Sequence, residues 1–355
     1  MKDVRCEKLA SVLLNHSLKV KAGENLVIRS NYNGKPLVDE VYKQAIKAGL
    51  NVFTHIMMSE QIKFFMENAT QKQLENANKF LEGVYAQADA FVVIEAPDNV
   101  KNLAQVDPQR NMLHNKAVSP LVKLITDKRW VMTNFPTNAF AQEADMSLEE
   151  YEDMLYDATL VDYEKMDKDM DKIIEIFDKT DTVRIVGKDT DLTFSIKDRK
   201  GIKCSGANNI PDGEVFYAPI TNSANGYIYY EFPGMRYGTQ VDGIRLEFKD
   251  GKVVKATADK NEEFLNKMLD SDEGARYLGE FGIGLNYGIQ RFIKNILFDE
   301  KIGGTIHLAV GNAYEDSGGD NRSVVHWDMI KELRTDGEIY ADGKLVMKNG
   351  KYIFE

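Results

Sequence analysis

The chain has 355 residues, 43% of them hydrophobic, which is enough apolar material for two or three domain cores. Its formal net charge of −11 excludes the basic footprint that a nucleic-acid partner requires. Two cysteines, Cys6 and Cys204, exclude a disulfide framework and a cysteine zinc cluster, and no apolar run approaches the ~20 residues of a membrane span.

The first half alternates helices with short strands. Val4, Leu9, Val12, Leu13 and Leu14 recur at helical spacing, predicting an amphipathic helix over residues 3–17. Asn25 to Arg29 reads as a buried strand, Pro36 opens a helix that Gly49 stops, and Val52 to Met57 reads as the next strand. Ala90 to Ile94 is another, ended by Ala96-Pro97. Asp107-Pro108 starts a further helix, and Trp130-Val131-Met132 is a strand stopped by Pro136. Strands separated by helices imply a mostly parallel sheet. Residues 138–179 read as helical and very acidic, a solvated face rather than a cation site, and the domain boundary is expected at their end.

From Thr182 the period changes to two. Val183-Arg184-Ile185-Val186, Leu192 to Ile196 and Ile244 to Phe248 alternate, separated by turns such as Asp212-Gly213, Asp242-Gly243 and Asp250-Gly251. The expected architecture is α/β: an N-terminal α/β domain over residues 1–178 and a C-terminal β-rich (α+β) metal-binding domain over 179–355, with an inserted helix near 260–272. Residues 1–20 mix charge throughout and lack the apolar core of a leader, so a cytoplasmic protein is expected.

The familiar cofactor motifs are missing. Ser30-Asn31-Tyr32-Asn33-Gly34 lacks dinucleotide-type glycine spacing, and no phosphate-binding loop, nucleophile elbow or His-Glu-x-x-His helix occurs. The five histidines point elsewhere. His307 lies in Gly304-Thr305-Ile306-His307-Leu308-Ala309-Val310, and His326 in Ser323-Val324-Val325-His326-Trp327-Asp328. In a strand His326 and Asp328 share a face, about 7 Å apart along the chain. Glu214 and Glu280 sit among glycine and apolar neighbours, where a carboxylate is costly unless paired or metal-bound. Two imidazoles and three carboxylates suit a two-metal hydrolytic site. From spacing alone the bland alternatives stay open: a hydrogen-bonded core histidine, and glutamates in ordinary turns.

Several runs in order carry a resemblance: Pro211-Asp212-Gly213-Glu214-Val215-Phe216, Ala224-Asn225-Gly226, Gly274 to Glu280, Asn286, Asp299 to His307, Gly311-Asn312-Ala313-Tyr314 and His326-Trp327-Asp328. The chain resembles the thermophilic metalloaminopeptidase family, of the aminopeptidase T and aminopeptidase S type, specifically in the C-terminal half and more loosely in the N-terminal half. The resemblance implies a homodimeric enzyme that removes N-terminal residues from peptides with two divalent ions (zinc, cobalt, manganese or magnesium). It implies Glu214, Glu280, His307, His326 and Asp328 as metal ligands, with Glu280 as the bridge and Tyr314 beside the metals as a catalytic residue able to hydrogen-bond an oxyanion. Tyr227, Tyr229, Tyr230 and Phe232 either line a side-chain pocket or belong to a core or dimer surface. Two other readings stay open. One is a ring-cleaving dioxygenase with a single iron(II) on His307, His326 and Asp328, and the other is a non-catalytic homologue.

Overall fold

The computed structural model describes residues 3–76 and 78–354. Its contacts divide the chain into two compact units: Met1–Leu160 with Gly206–Pro211, and Val161–Ser205 with Asp212–Glu355.

In the first unit, strands Asn25–Asn31, Asn51–Met57, Ala90–Glu95 and Arg129–Asn134 form a parallel sheet, as the alternation with helices predicts. The central strand Ala90–Glu95 is almost wholly buried, in keeping with a sheet covered on both faces. The helix over Pro108–Thr126 starts where the sequence says: Asp107 accepts from the Gln109 N–H, and Pro108 occupies a position where a missing N–H costs nothing. The N-terminal helix runs Val4–Ser11 and continues as a wider-turned helix over Val12–Ser17. A fifth strand, Asn209–Ile210, pairs in parallel with Met132 and Thr133.

That fifth strand and the acidic helix move the boundary away from 178/179. The helix Tyr163–Phe177, capped by Asp162, buries Met170, Ile173 and Phe177 in the core of the second unit. Its acids face outward, and Asp167 and Asp171 hold Lys203 at 3.0 and 2.7 Å. The apolar stripe, not the charge density, decides which unit owns this helix.

The second unit is built on an eight-stranded sheet and a five-stranded sheet. The five-stranded sheet, in spatial order His326–Lys331, Ile306–Gly311, Leu278–Gly284, Glu214–Tyr217 and Ile202–Cys204, is antiparallel throughout. One face carries Val215, Phe281, Ile283, Leu308, Val310, Trp327 and Met329 into a core shared with Val183, Leu192, Phe194 and Leu246 of the other sheet. Phe194 and Phe281 meet edge to face at 5.2 Å. The inserted helix spans Glu262–Leu269. Among the described residues, no helix is long and apolar enough to cross a membrane.

Candidate metal centre

Period-two alternation puts the other face of the five-stranded sheet to a different use. His326 and Asp328 stand on its edge strand, His307 on the next, Glu280 on the third and Glu214 on the fourth. In register, Asp328 pairs with Ala309, His326 with Gly311, His307 with Gly282 and Glu214 with Gly284. Each polar side chain therefore has a glycine or alanine beside it, and that leaves room on the sheet surface for side chains from different strands to converge.

All five converge. His307 Nε2 lies 3.4 Å from Glu214 Oε2 and 3.4 Å from Glu280 Oε1. His326 Nε2 lies 3.2 Å from Glu280 Oε2 and 3.4 Å from Asp328 Oδ1. Glu280 thus turns one oxygen to each imidazole. Both rings are held from behind: Nδ1 of His307 donates to the Glu300 carbonyl at 3.0 Å, and Nδ1 of His326 to the Asn312 carbonyl at 2.8 Å. A carbonyl can only accept, so Nδ1 carries the proton and Nε2 is the atom turned to the carboxylates.

Glu214, Glu280 and His307 are buried, and His326 and Asp328 are partly exposed. Burial pushes the Glu214 carboxyl up to about 8, helped by Glu300 and Glu280 and opposed by Lys301 and His307. For Glu280, hydrogen bonds from both histidines overcome burial and hold it below the usual carboxylate range. The His326 imidazole beside Asp328 likewise holds that carboxyl below its usual range against burial. Burial alone would lower the histidines, but the carboxylates win: Glu280, with Glu214 and Asp328, raises His307 to about 10, and Asp328 with Glu280 raises His326 to about 11.

Two features fit a cation. Oε2 of Glu214 and Oδ1 of Asp328 are buried and make no hydrogen bond among the described residues. The sets Glu280, His307, Asp328 and Glu214, Glu300, His307 each bring ligand-type atoms within 4.8 Å of one another. Nitrogen and carboxylate donors of this kind suit zinc, cobalt and manganese.

Sequence reasoning did not single out Glu300 and Lys301. Lys301 is wholly buried, pairs with Glu300, and lies 3.7 Å from Glu214 Oε1. Adjacent opposite charges in Phe298-Asp299-Glu300-Lys301 look like surface. The one available signal was the apolar and glycine setting on either side. Tyr314 stands at the rim, its ring 5.0 Å from that of His326 and 5.3 Å from that of Phe216. Of the aromatic group, Tyr230 is core, Phe232 stacks on Phe292 at 4.8 Å, Tyr229 packs beneath Arg245, and Tyr227 is half exposed.

A parallel α/β unit joined to a β unit whose sheet gathers two imidazoles and a set of carboxylates has the makings of a divalent-metal protein. The chain belongs to the thermophilic metalloprotease (M29) family, whose pattern it matches over residues 2–352. It is 26% identical to aminopeptidase 2 of Geobacillus stearothermophilus and 25% identical to aminopeptidase T of Thermus thermophilus, in each case over 98% of both chains. Its fold is similar to that of AmpT from Thermus thermophilus, with a TM-score of 0.86, 22% identity and 99% of both chains covered. It is also similar to that of 2,5-dihydroxypyridine dioxygenase from Pseudomonas putida, with a TM-score of 0.65, 13% identity, and 99% of this chain and 97% of the other covered.

Proposed function

We propose that the chain is an aminopeptidase that hydrolyses the N-terminal peptide bond of peptides with two divalent ions, which Glu214, His307, His326, Asp328 and Glu280 would hold. The observation that carries this reading is the Glu280 carboxylate, whose two oxygens face two different imidazoles. The cluster is acid-rich: with neutral imidazoles, Glu214, Glu280, Glu300 and Asp328 bring four negative charges and Lys301 one positive, leaving three that bound cations would offset. The names of the related proteins support the N-terminal specificity.

When bound, the ions would supply a water-derived nucleophile at neutral pH and polarise the scissile carbonyl. The chain's own residues do the rest. The Glu300 and Asn312 carbonyls fix the imidazoles so that Nε2 faces inward. Lys301 holds one oxygen of Glu214 and leaves the other directed at His307. Burial, with Glu280 and Asp328 nearby, pushes the Tyr314 hydroxyl well above its usual range, so it stays protonated and can donate to an oxyanion.

The test is a metal-supplemented assay with zinc, cobalt, manganese or magnesium on aminoacyl p-nitroanilides and short peptides. Free amino termini should be required; equal cleavage of N-acetylated substrates would overturn the reading. Glu280→Gln should lose metal and most activity, and full stoichiometry with full activity would remove Glu280 from its role. A single iron on His307, His326 and Asp328 with oxygen uptake on a dihydroxypyridine would select the dioxygenase alternative, although that site has no use for Glu214. A homodimer belongs to the same proposal and is checked by light scattering.

A further inference from the structure

The metal centre accounts for two of the chain's five histidines. Two others, His55 and His114, line one cavity of about 680 Å³ in the parallel α/β unit. That volume is in the range of small-molecule sites. Arg29 and His55 are register partners on neighbouring parallel strands, in the C-terminal half of each, where α/β sheets hold their ligands. Phe65, Leu81, Val118 and Leu121 supply apolar wall, and Phe80 and Val122 stand 91% and 54% exposed beside it.

Three amides, Gln73, Asn76 and Asn78, and the Tyr85 hydroxyl line the cavity, and its ionisable nitrogen groups are all basic. The chain has 56 acidic residues, yet among the described residues no acid lines this cavity, whereas Arg29, Lys79, His55 and His114 all do. Lys79 is already bonded to Glu82 at 2.7 Å. Arg29 is not so engaged: its ion pair with Glu95 is 3.6 Å long, and its guanidinium makes no hydrogen bond among the described residues. Five fixed N–H donors without a close acceptor are a ready seat for a carboxylate. Tyr85 holds Nδ1 of His55 at 2.9 Å, which leaves Nε2 for a ligand. His114 packs edge-on against Phe65 at 5.4 Å, with its Nδ1 buried and without a hydrogen bond.

We infer that this cavity binds a small organic acid, its carboxylate on Arg29 and its aromatic or branched apolar body against Phe65 and Leu121. The cavity belongs to the first unit and the candidate metal ligands to the second, and the inference is independent of the peptidase reading.

The test uses the full chain, metal-loaded, titrated calorimetrically with 4-phenylbutyrate. One molecule should bind per chain, with a Kd on the order of 0.1 mM. 4-Phenylbutanamide and 4-phenylbutylamine, which keep the body and lose the negative charge, should bind about tenfold more weakly or not at all. Arg29→Met should cost a similar factor and Arg29→Lys should restore part of it. Val122→Trp, at the mouth, should block binding with Arg29 intact, which keeps the test valid if the arginine variant fails to fold. Binding should survive both chelation and Glu280→Gln. No binding at millimolar ligand, equal binding of the amine, or competition by inorganic phosphate at equal strength would overturn the inference. So would loss of binding with the metal, since the acid would then be sitting on the metal centre.

Discussion

A Cβ built on Gly282 would lie 1.9 Å from Nε2 of His307 and 2.0 Å from its Cε1. No side chain fits there while the imidazole keeps its place. Gly282→Ala should therefore drive the ring off the position it shares with Glu214 and Glu280. The expected outcome is loss of metal with a native-like far-UV circular dichroism spectrum and a stability cost of about 1–3 kcal/mol, the usual range for overpacking. Metal analysis of the purified variant checks this, and full occupancy would show that the ring has room to give.

Lys301 is the one wholly buried ammonium within ion-pair reach of a candidate ligand, Glu214, among the described residues. Lys301→Met should destabilise the metal-free chain by about 3–5 kcal/mol above pH 8, where Glu214 is ionised, because it strands Glu214 and Glu300. Added zinc should recover part of that loss by neutralising the same carboxylates. Chemical unfolding with and without a chelator reads the difference. An equal loss under both conditions would reduce Lys301 to a packing residue.

Metal loading should release protons. In the metal-free chain the carboxylates raise His307 to about 10 and His326 to about 11, so both are protonated at pH 7. Each must give up its Nε2 proton to bind a cation, so affinity should climb with pH through the neutral and alkaline range. Calorimetry in buffers of different ionisation enthalpy, such as PIPES and HEPES, measures the protons directly. Heats independent of buffer would contradict the assignment of these imidazoles as ligands.

Asp272 ties down the segment that leads into His326: it accepts from Ser323 Oγ at 2.8 Å, from the Val324 N–H at 2.6 Å and from the Gly274 N–H at 3.0 Å. Those donors outweigh burial and hold its carboxyl below the usual aspartate range. A depressed carboxyl contributes stability that is complete above the unfolded value of about 4 and lost as pH falls through the folded value. Asp272→Asn should flatten the acid limb of the stability profile by about 1 kcal/mol after allowing for solvent screening. Thermal melts from pH 7 to 3 give the slope; identical slopes in the two proteins would rule out this contribution.

Strand positions were legible where the pattern was simple. Asn25, Val52, Ala90 and Trp130 each begin or fall within an observed parallel strand. The five candidate ligands were legible because histidines are scarce and because Glu214 and Glu280 sit where a solvated acid would not. Glu300 and Lys301 were hidden for the opposite reason: an acid and a base side by side look solvated, and only the surrounding fold shows that they are enclosed. The contacts divide the chain at Leu160, not at the expected 178, because the stripe of Tyr163, Met170, Ile173 and Phe177, masked in the sequence by acid density, ties this helix to the second unit. A strand of two residues, Asn209–Ile210, is too short to leave any periodic trace.

That short strand has a consequence for inheritance. The path leaves the second unit at Ser205, adds six residues to the first, and resumes at Asp212, two positions before Glu214. No single cut separates the units. A fragment ending at Leu160 would keep the parallel sheet but lose its last member, and the Met132 N–H, which donates to the Asn208 carbonyl at 2.7 Å, would lose its partner. An open rim of that kind invites pairing with another copy and then precipitation. The half that carries the candidate ligands cannot be shuffled onto a new neighbour by a simple end-to-end fusion; it has to travel with the sheet it completes.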